Sequence, residues 1–148
     1  ELRLQYRLVG GNSGIQFRSR EVPPWDTNGY QADMDAAGEW TGALFEHERG
    51  GLALRGEKAV IAADGTKQVT RFADAAVLQK GFRSNDWNEY RVIARGPEIQ
   101  LFINGVKTAD FRQPGDPEGH IGFQVHGIKK GSGPYSVRWK NVRIRGAG

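Results

Sequence analysis

The chain has 148 residues and a net charge of +4, with 38% hydrophobic and 26% charged residues, which suits one globular domain with a full hydrophobic core. It has no cysteine, which excludes thiol catalysis, disulfides and cysteine-based zinc sites. No apolar run approaches the roughly 20 residues of a membrane-spanning helix, no signal peptide is visible, and the basic residues are too scattered for a nucleic-acid footprint, the densest being Lys129–Lys130 and the tail from Arg138 to Arg145.

The 21 glycines and 6 prolines punctuate short runs of alternating apolar and polar residues, the pattern of β-strands. In chain order this predicts strands over Leu2–Leu8, Gly14–Arg20, Gly29–Met34, Thr41–Glu48, Lys58–Ala63, Lys67–Phe72, Asn88–Arg95, Glu98–Ile103, His120–His126 and Ser136–Ile144. Asp64-Gly65 and Asn104-Gly105 read as tight hairpin turns, because these dipeptides tolerate the positive φ that such turns require. Only Ala73–Lys80 has the composition of a short helix or turn. No repeat, low-complexity tract or linker divides the chain, so residues 1–148 are expected to form a single domain. The expected class is all-β, with two sheets packed about 10 Å apart. The inner faces are assigned Ile15, Phe17, Tyr30, Ala32, Met34, Ala43, Phe45, Tyr90, Val92, Leu101, Ile103, Ile121, Phe123 and Val125.

The opposite parity of the same strands collects Gln16, Arg18, Gln31, Asp33, Asp35, Glu46, Glu48, His120, Gln124 and His126. Solvent exposure accounts for polarity there but not for type. Planar amides, carboxylates and guanidinium groups match the vicinal hydroxyls of sugars. Each residue also has a plainer reading. His126 at a strand end is structural, Asp33 and Glu46 are solvated acids, Arg18 pairs with one of them, and Asn12 is a turn residue. Trp25, in V-P-P-W-D-T-N-G-Y, is a loop-packing aromatic or a stacking platform for a sugar. His47 alternates with Glu46 and points to the other face. The histidine spacing does not match a metal motif, although Asp33, Glu46 and His126 could converge on a divalent ion.

Several phrases in order carry a resemblance: G-N-S-G-I-Q-F-R-S-R, G-Y-Q-A-D-M-D, T-G-A-L-F-E, D-W-N-E-Y-R-V-I-A-R-G, Q-L-F-I-N-G, G-F-Q-V-H-G and V-R-W-K-N-V-R-I-R. Together they resemble the 3-keto-disaccharide hydrolase family over nearly the whole chain. The resemblance implies a two-sheet antiparallel jelly-roll sandwich of the concanavalin A-like lectin/glucanase type. The family usually has further strands before the segment equivalent to Glu1–Leu8; their absence is expected to leave a sheet edge unpaired, as in a fragment, a processed form or a shortened domain.

The resemblance further implies cleavage of 3-keto-glycosides. A ketone at C3 acidifies the hydrogen on C2, a base removes it, and the glycosidic oxygen on C1 leaves with help from an acid. On that reading His126 is the base, Arg18 with Asn12 stabilises the enolate, and Glu46 or Asp33 supplies the acid or orients His126. Roles permute among His126, Glu46 and Asp33. Gln16, Gln31, Gln124 and Trp25 bind substrate. The expected partner is a carbohydrate, without nucleic acid or membrane span. No cofactor is expected, a divalent cation being the alternative. The family implies a periplasmic or extracellular location. The rival readings are a non-catalytic carbohydrate-binding module and a structural or interaction domain.

Overall fold

Alternation of side chains sets the architecture. The computed structural model describes residues 1–115 and 117–146. Its strands are β1 (Leu2–Val9), β2 (Asn12–Val22), β3 (Asp26–Asp35), β4 (Leu44–Glu46), β5 (Gly50–Ala53), β6 (Glu57–Ile61), β7 (Lys67–Arg71), β8 (Asn88–Arg95), β9 (Glu98–Ile103), β10 (Val106–Arg112), β11 (His120–Phe123) and β12 (Ser136–Ile144), with one short helix, α1 (Ala75–Gln79). They form a sandwich of two sheets, one ordered β12-β1-β8-β9-β10-β6-β7 and the other β11-β2-β3-β4-β5. The protein is all-β, as the punctuation by glycine and the alternating runs predict. No helix among the described residues is long and apolar enough to cross a membrane.

The core is one cluster between the sheets. β1 contributes Leu2, Leu4, Tyr6 and Leu8, and β8 to β10 contribute Tyr90, Val92, Ile99, Leu101, Ile103 and Phe111. The other sheet contributes Ile15, Phe17, Ala32, Met34, Leu44 and Leu52. Each large apolar side chain buried here stabilises the fold by roughly 1.5–3 kcal/mol. Asn104-Gly105 turns β9 into β10 with both residues at positive φ (50° and 82°), the geometry a two-residue hairpin needs. Asp74 caps α1, its carboxylate accepting from the Ala76 and Val77 amides.

Four expectations are corrected. β5 and β10 are additional strands; β5 is glycine-laden, and β10 is bulged between Lys107 and Ala109, so neither shows clean alternation. β6 and β10 pair in parallel, an exception in otherwise antiparallel sheets. The segment Glu1–Leu8 leaves no edge unpaired, because β1 is hydrogen-bonded to β12 on one side and β8 on the other. Ile121, Phe123 and Val125 are exposed rather than core; Val125 lies past the end of β11 and is 90% exposed. Phe123 instead stacks on Trp139 of β12, at 4.6 Å between centroids, and so closes the sandwich between its two edge strands.

One buried cation ties peripheral segments to the core. The Arg55 guanidinium donates to the carbonyls of Gly38, Thr41 and Ala75 and to Gln79 Oε1, and it lies 5.2 Å from the Phe82 ring centroid. Burial lowers its pKa, an effect partly offset by the nearby Asp35 carboxylate.

Candidate functional site

β2 and β3 lie side by side with Gln16 opposite Gln31 and Gly14 opposite Asp33. Their core-facing residues are Ile15, Phe17, Ala32 and Met34, so Gln16, Gln31 and Asp33 share the other face of the sheet. There they form a chain of hydrogen bonds. Ser19 Oγ donates to Gln16 Oε1 at 2.9 Å, Gln16 Nε2 to Gln31 Oε1 at 2.6 Å, and Gln31 Nε2 to Asp33 Oδ1 at 3.2 Å. The Gln31 amide also reaches Gln124 Oε1 at 3.3 Å. Glycine makes room for this. A Cβ on Gly14 would fall 2.5 Å from Gln31 Cδ, and one on Gly29 would fall 2.3 Å from Ser19 Oγ.

The chain ends on Asp33. Its carboxylate accepts from Gln31 and from the Met34 amide at 2.9 Å, and a hydrogen bond from Asn12 also favours the charged form. Burial outweighs these contacts, and with a smaller push from Asp35 it raises the Asp33 pKa to about 6. Across the core, the Tyr90 hydroxyl donates to the Asp33 backbone carbonyl at 3.1 Å and fixes this point of β3 to the opposite sheet. Gln16, Gln31 and Asp33 are only 4%, 4% and 5% exposed.

His126 lies beyond β11 with its Nδ1 2.6 Å from the Gly127 carbonyl oxygen. It lines a cleft of about 480 Å³ together with Asn12, Gln124, Ile128 and Tyr135. Asn12 and Gln124 therefore belong both to this cleft and to the network that ends on Asp33. The Tyr135 ring lies over the Gly10-Gly11 turn, where a Cβ on Gly10 would come within 2.2 Å of it.

Three of the expected site residues are placed elsewhere. Arg18 sits in an irregularity of register between Phe17 and Arg20, at φ 50°, and its guanidinium donates to the Gly96 carbonyl on the β8–β9 turn at 2.7 Å. The bulge removes it from the Gln16 face. Glu46 pairs in register with Tyr30, and Leu44 with Ala32, so Glu46 stands on the opposite face from Gln31 and binds Arg49 at 2.5 Å. With Glu46 turned away, the imagined convergence of Asp33, Glu46 and His126 on an ion does not form. Among the described residues no group of three or more histidine, aspartate and glutamate side chains is placed to hold a metal. Trp25 is 94% exposed at the β2–β3 turn and packs on nothing, contrary to the loop-packing reading. It lies along β3 from Asp33 at roughly 3.3 Å per residue, some 20 Å or more away, which is wider than one sugar ring.

The same register brings in residues that alternation missed. Phe45 faces the Gln31 side and meets Trp40 edge-on at 6.0 Å, an aromatic wall beside the amides. Ser19 has the parity of Phe17, and only the bulge turns it toward Gln16.

The structure is thus an all-β sandwich that lines one sheet with amides, a buried carboxyl and an aromatic pair. The fold is similar to the carbohydrate binding module CBM66 from Bacillus subtilis, at TM-score 0.55 and 16% identity over 95% of this chain and 72% of that one. It is also similar to a putative glycosyl hydrolase from Parabacteroides distasonis ATCC 8503, at TM-score 0.56 and 16% identity over 99% and 77%. These likenesses establish a jelly-roll sandwich. No curated protein matches the sequence. The chain belongs to the family described as the 3-keto-alpha-glucoside-1,2-lyase-like domain, which matches residues 1–145.

Proposed function

We propose that this domain cleaves 3-keto-glycosides by proton abstraction at C2, with Asp33 as the base. The observation that carries the proposal is the hydrogen-bonded row of Ser19, Gln16 and Gln31 that terminates on a buried carboxyl. A base that titrates near 6 is mostly deprotonated at neutrality and still basic enough to remove a proton made acidic by a neighbouring ketone. Asp33 takes the C2 proton, and the electrons of that bond form the enolate of the C3 ketone. The enolate collapses to re-form the ketone and a C1–C2 double bond, expelling the C1 glycosidic oxygen with its electron pair. A proton from His126, in the adjoining cleft, completes the leaving alcohol. Addition of water at C1 and reprotonation of C2 by Asp33, once its proton has exchanged with solvent, give net hydrolysis.

With Arg18 turned to Gly96, stabilisation of the enolate falls to the amide N–H groups of Gln124 and Asn12, a role that neutral donors fill in oxyanion holes. The Phe45–Trp40 pair supplies an apolar wall for a sugar face. This route needs no resident cofactor, so dialysis against a chelator leaves turnover unchanged; loss restored by a divalent ion would add a metal to the mechanism. The decisive experiment is turnover of a 3-keto-glucoside in heavy water, followed by NMR. Deuterium at C2 of recovered substrate or product is the expected result, and cleavage without it rejects proton abstraction.

The near-complete burial of Gln16, Gln31 and Asp33, each bonded to the next, favours a second reading as a non-catalytic carbohydrate-binding module. Calorimetry separates the two: binding of a 3-keto-glucoside with no consumption over hours supports the module.

A further inference from the structure

The opposite sheet has a different chemistry on its outer face. In β1 the alternate residues Leu2, Leu4, Tyr6 and Leu8 are buried, so Arg3, Gln5 and Arg7 face outward. The register puts Arg143 of β12 opposite Arg3, and Arg3 opposite Arg91 of β8. Three arginines therefore stand in one row across three strands. A second row pairs Arg138 with Arg7; between the two rows Lys140 stands opposite Gln5, whose other neighbour is Glu89 of β8, the one acid that the strands add to this face. Like charges directly opposite one another destabilise a sheet, so a row of this kind favours an anion beside it. Glu1 meets part of the need, bonding Arg91 at 2.9 Å and Arg3 at 2.6 Å, and those two guanidinium groups hold its carboxyl down at about 2. Among the described residues no carboxylate pairs with Arg138, Lys140 or Arg143. The Arg91 end of the row opens into a cleft of about 430 Å³ that Arg95 and Arg145 also line.

We propose that the outer face of β12, β1 and β8 binds an anionic polysaccharide through its sulfate or carboxylate groups. Guanidinium forks match both groups bidentately. Single-stranded nucleic acid fits less well, because such sites stack bases on open aromatic faces. Here the rings are capped by cations, Trp87 by Lys140 at 3.9 Å and Phe102 by Arg91 at 5.3 Å. The proposal rests on the carbohydrate relation of the family and is independent of turnover at Asp33.

The test titrates the full chain with dextran sulfate, polygalacturonate, neutral dextran and poly(dT) at matched ionic strength. Expected is salt-dependent binding of at least one charged polysaccharide and none of neutral dextran. Arg138→Gln/Lys140→Gln/Arg143→Gln should weaken it at least tenfold with unchanged thermal unfolding. Lys58→Gln/Lys67→Gln/Lys80→Gln, which removes the same charge elsewhere, should change it less than twofold. Binding of polygalacturonate assigns carboxylate recognition, and binding of dextran sulfate alone assigns sulfate. Tighter binding of poly(dT), equal loss in both triple variants, or no binding of either charged polysaccharide overturns the proposal.

Discussion

The two sheets turn their outer faces to opposite solutions of one problem. On β2 and β3 the polar side chains satisfy one another, and each amide accepts from one neighbour and donates to the next. On β12, β1 and β8 the side chains are mostly of one sign, and Glu1 offsets part of the repulsion. A self-satisfied network is rigid and sensitive to any missing member, because a buried amide without a partner costs about 1–3 kcal/mol. A face of exposed cations is tolerant, because solvent screens each charge. Substitution should therefore hurt one sheet and spare the other.

Asp33→Asn is expected to have the largest effect, in two directions. It keeps the acceptor for Gln31 and Met34 but cannot take a proton, so turnover of a 3-keto-glucoside should fall about 100-fold to 10,000-fold. The same change should stabilise the protein at pH 7. Between pH 3.8 and about 6 the folded chain retains a proton that the unfolded chain releases, so stability declines as pH rises through that window. Removing the ionisation restores up to about 3 kcal/mol, measured as a higher midpoint in urea at pH 7 and no gain at pH 3.5. Wild-type turnover in this variant would move the base elsewhere, His126 first. Consistently, wild-type kcat/KM should climb with pH and be half-maximal on its acid limb near 6.

Gln16→Leu should cost about 1–3 kcal/mol, because it strands the Gln31 carbonyl oxygen, while the Ser19 hydroxyl keeps the Phe17 carbonyl as its acceptor. Chemical denaturation measures this, and an unchanged midpoint would show that water replaces the amide. On the other sheet Arg143→Thr should stabilise by a few tenths of a kcal/mol, by relieving the repulsion from Arg3; a loss above 1 kcal/mol would contradict the tolerant character of that face. Trp25→Ala should change stability least, by under about 0.5 kcal/mol, since the ring contacts nothing. A lowered melting temperature would show that it packs after all.

The fold was legible where alternation was clean. β8, β9 and β12 follow the predicted bounds, and Ile15, Phe17, Ala32, Met34, Tyr90, Val92, Leu101 and Ile103 are core residues as their parity requires. Legibility failed where one residue of slip reverses a face. T-G-A-L-F-E reads as one long strand, yet only Leu44–Glu46 pairs, and both Ala43 and Leu44 are buried. The parity set at Ala43 is therefore wrong for Phe45 and Glu46. At Arg18 the left-handed φ swings the guanidinium off the face that Gln16 occupies. Gln16, Gln31, Asp33 and Gln124 were readable because the pairing of β2, β3 and β11 is regular where they lie. Arg55 offered no local signal: its hydrogen-bond partners come from two separate stretches of chain.

That arginine has a dynamic consequence. One guanidinium holds the carbonyls of Gly38 and Thr41 on one side and those of Ala75 and the Gln79 side chain on the other. The loop after β3 and α1 each lose bonds to the same guanidinium when they swing outward. Amide hydrogens of the two segments should thus exchange with solvent through a single shared opening, far apart in sequence but locked in tempo.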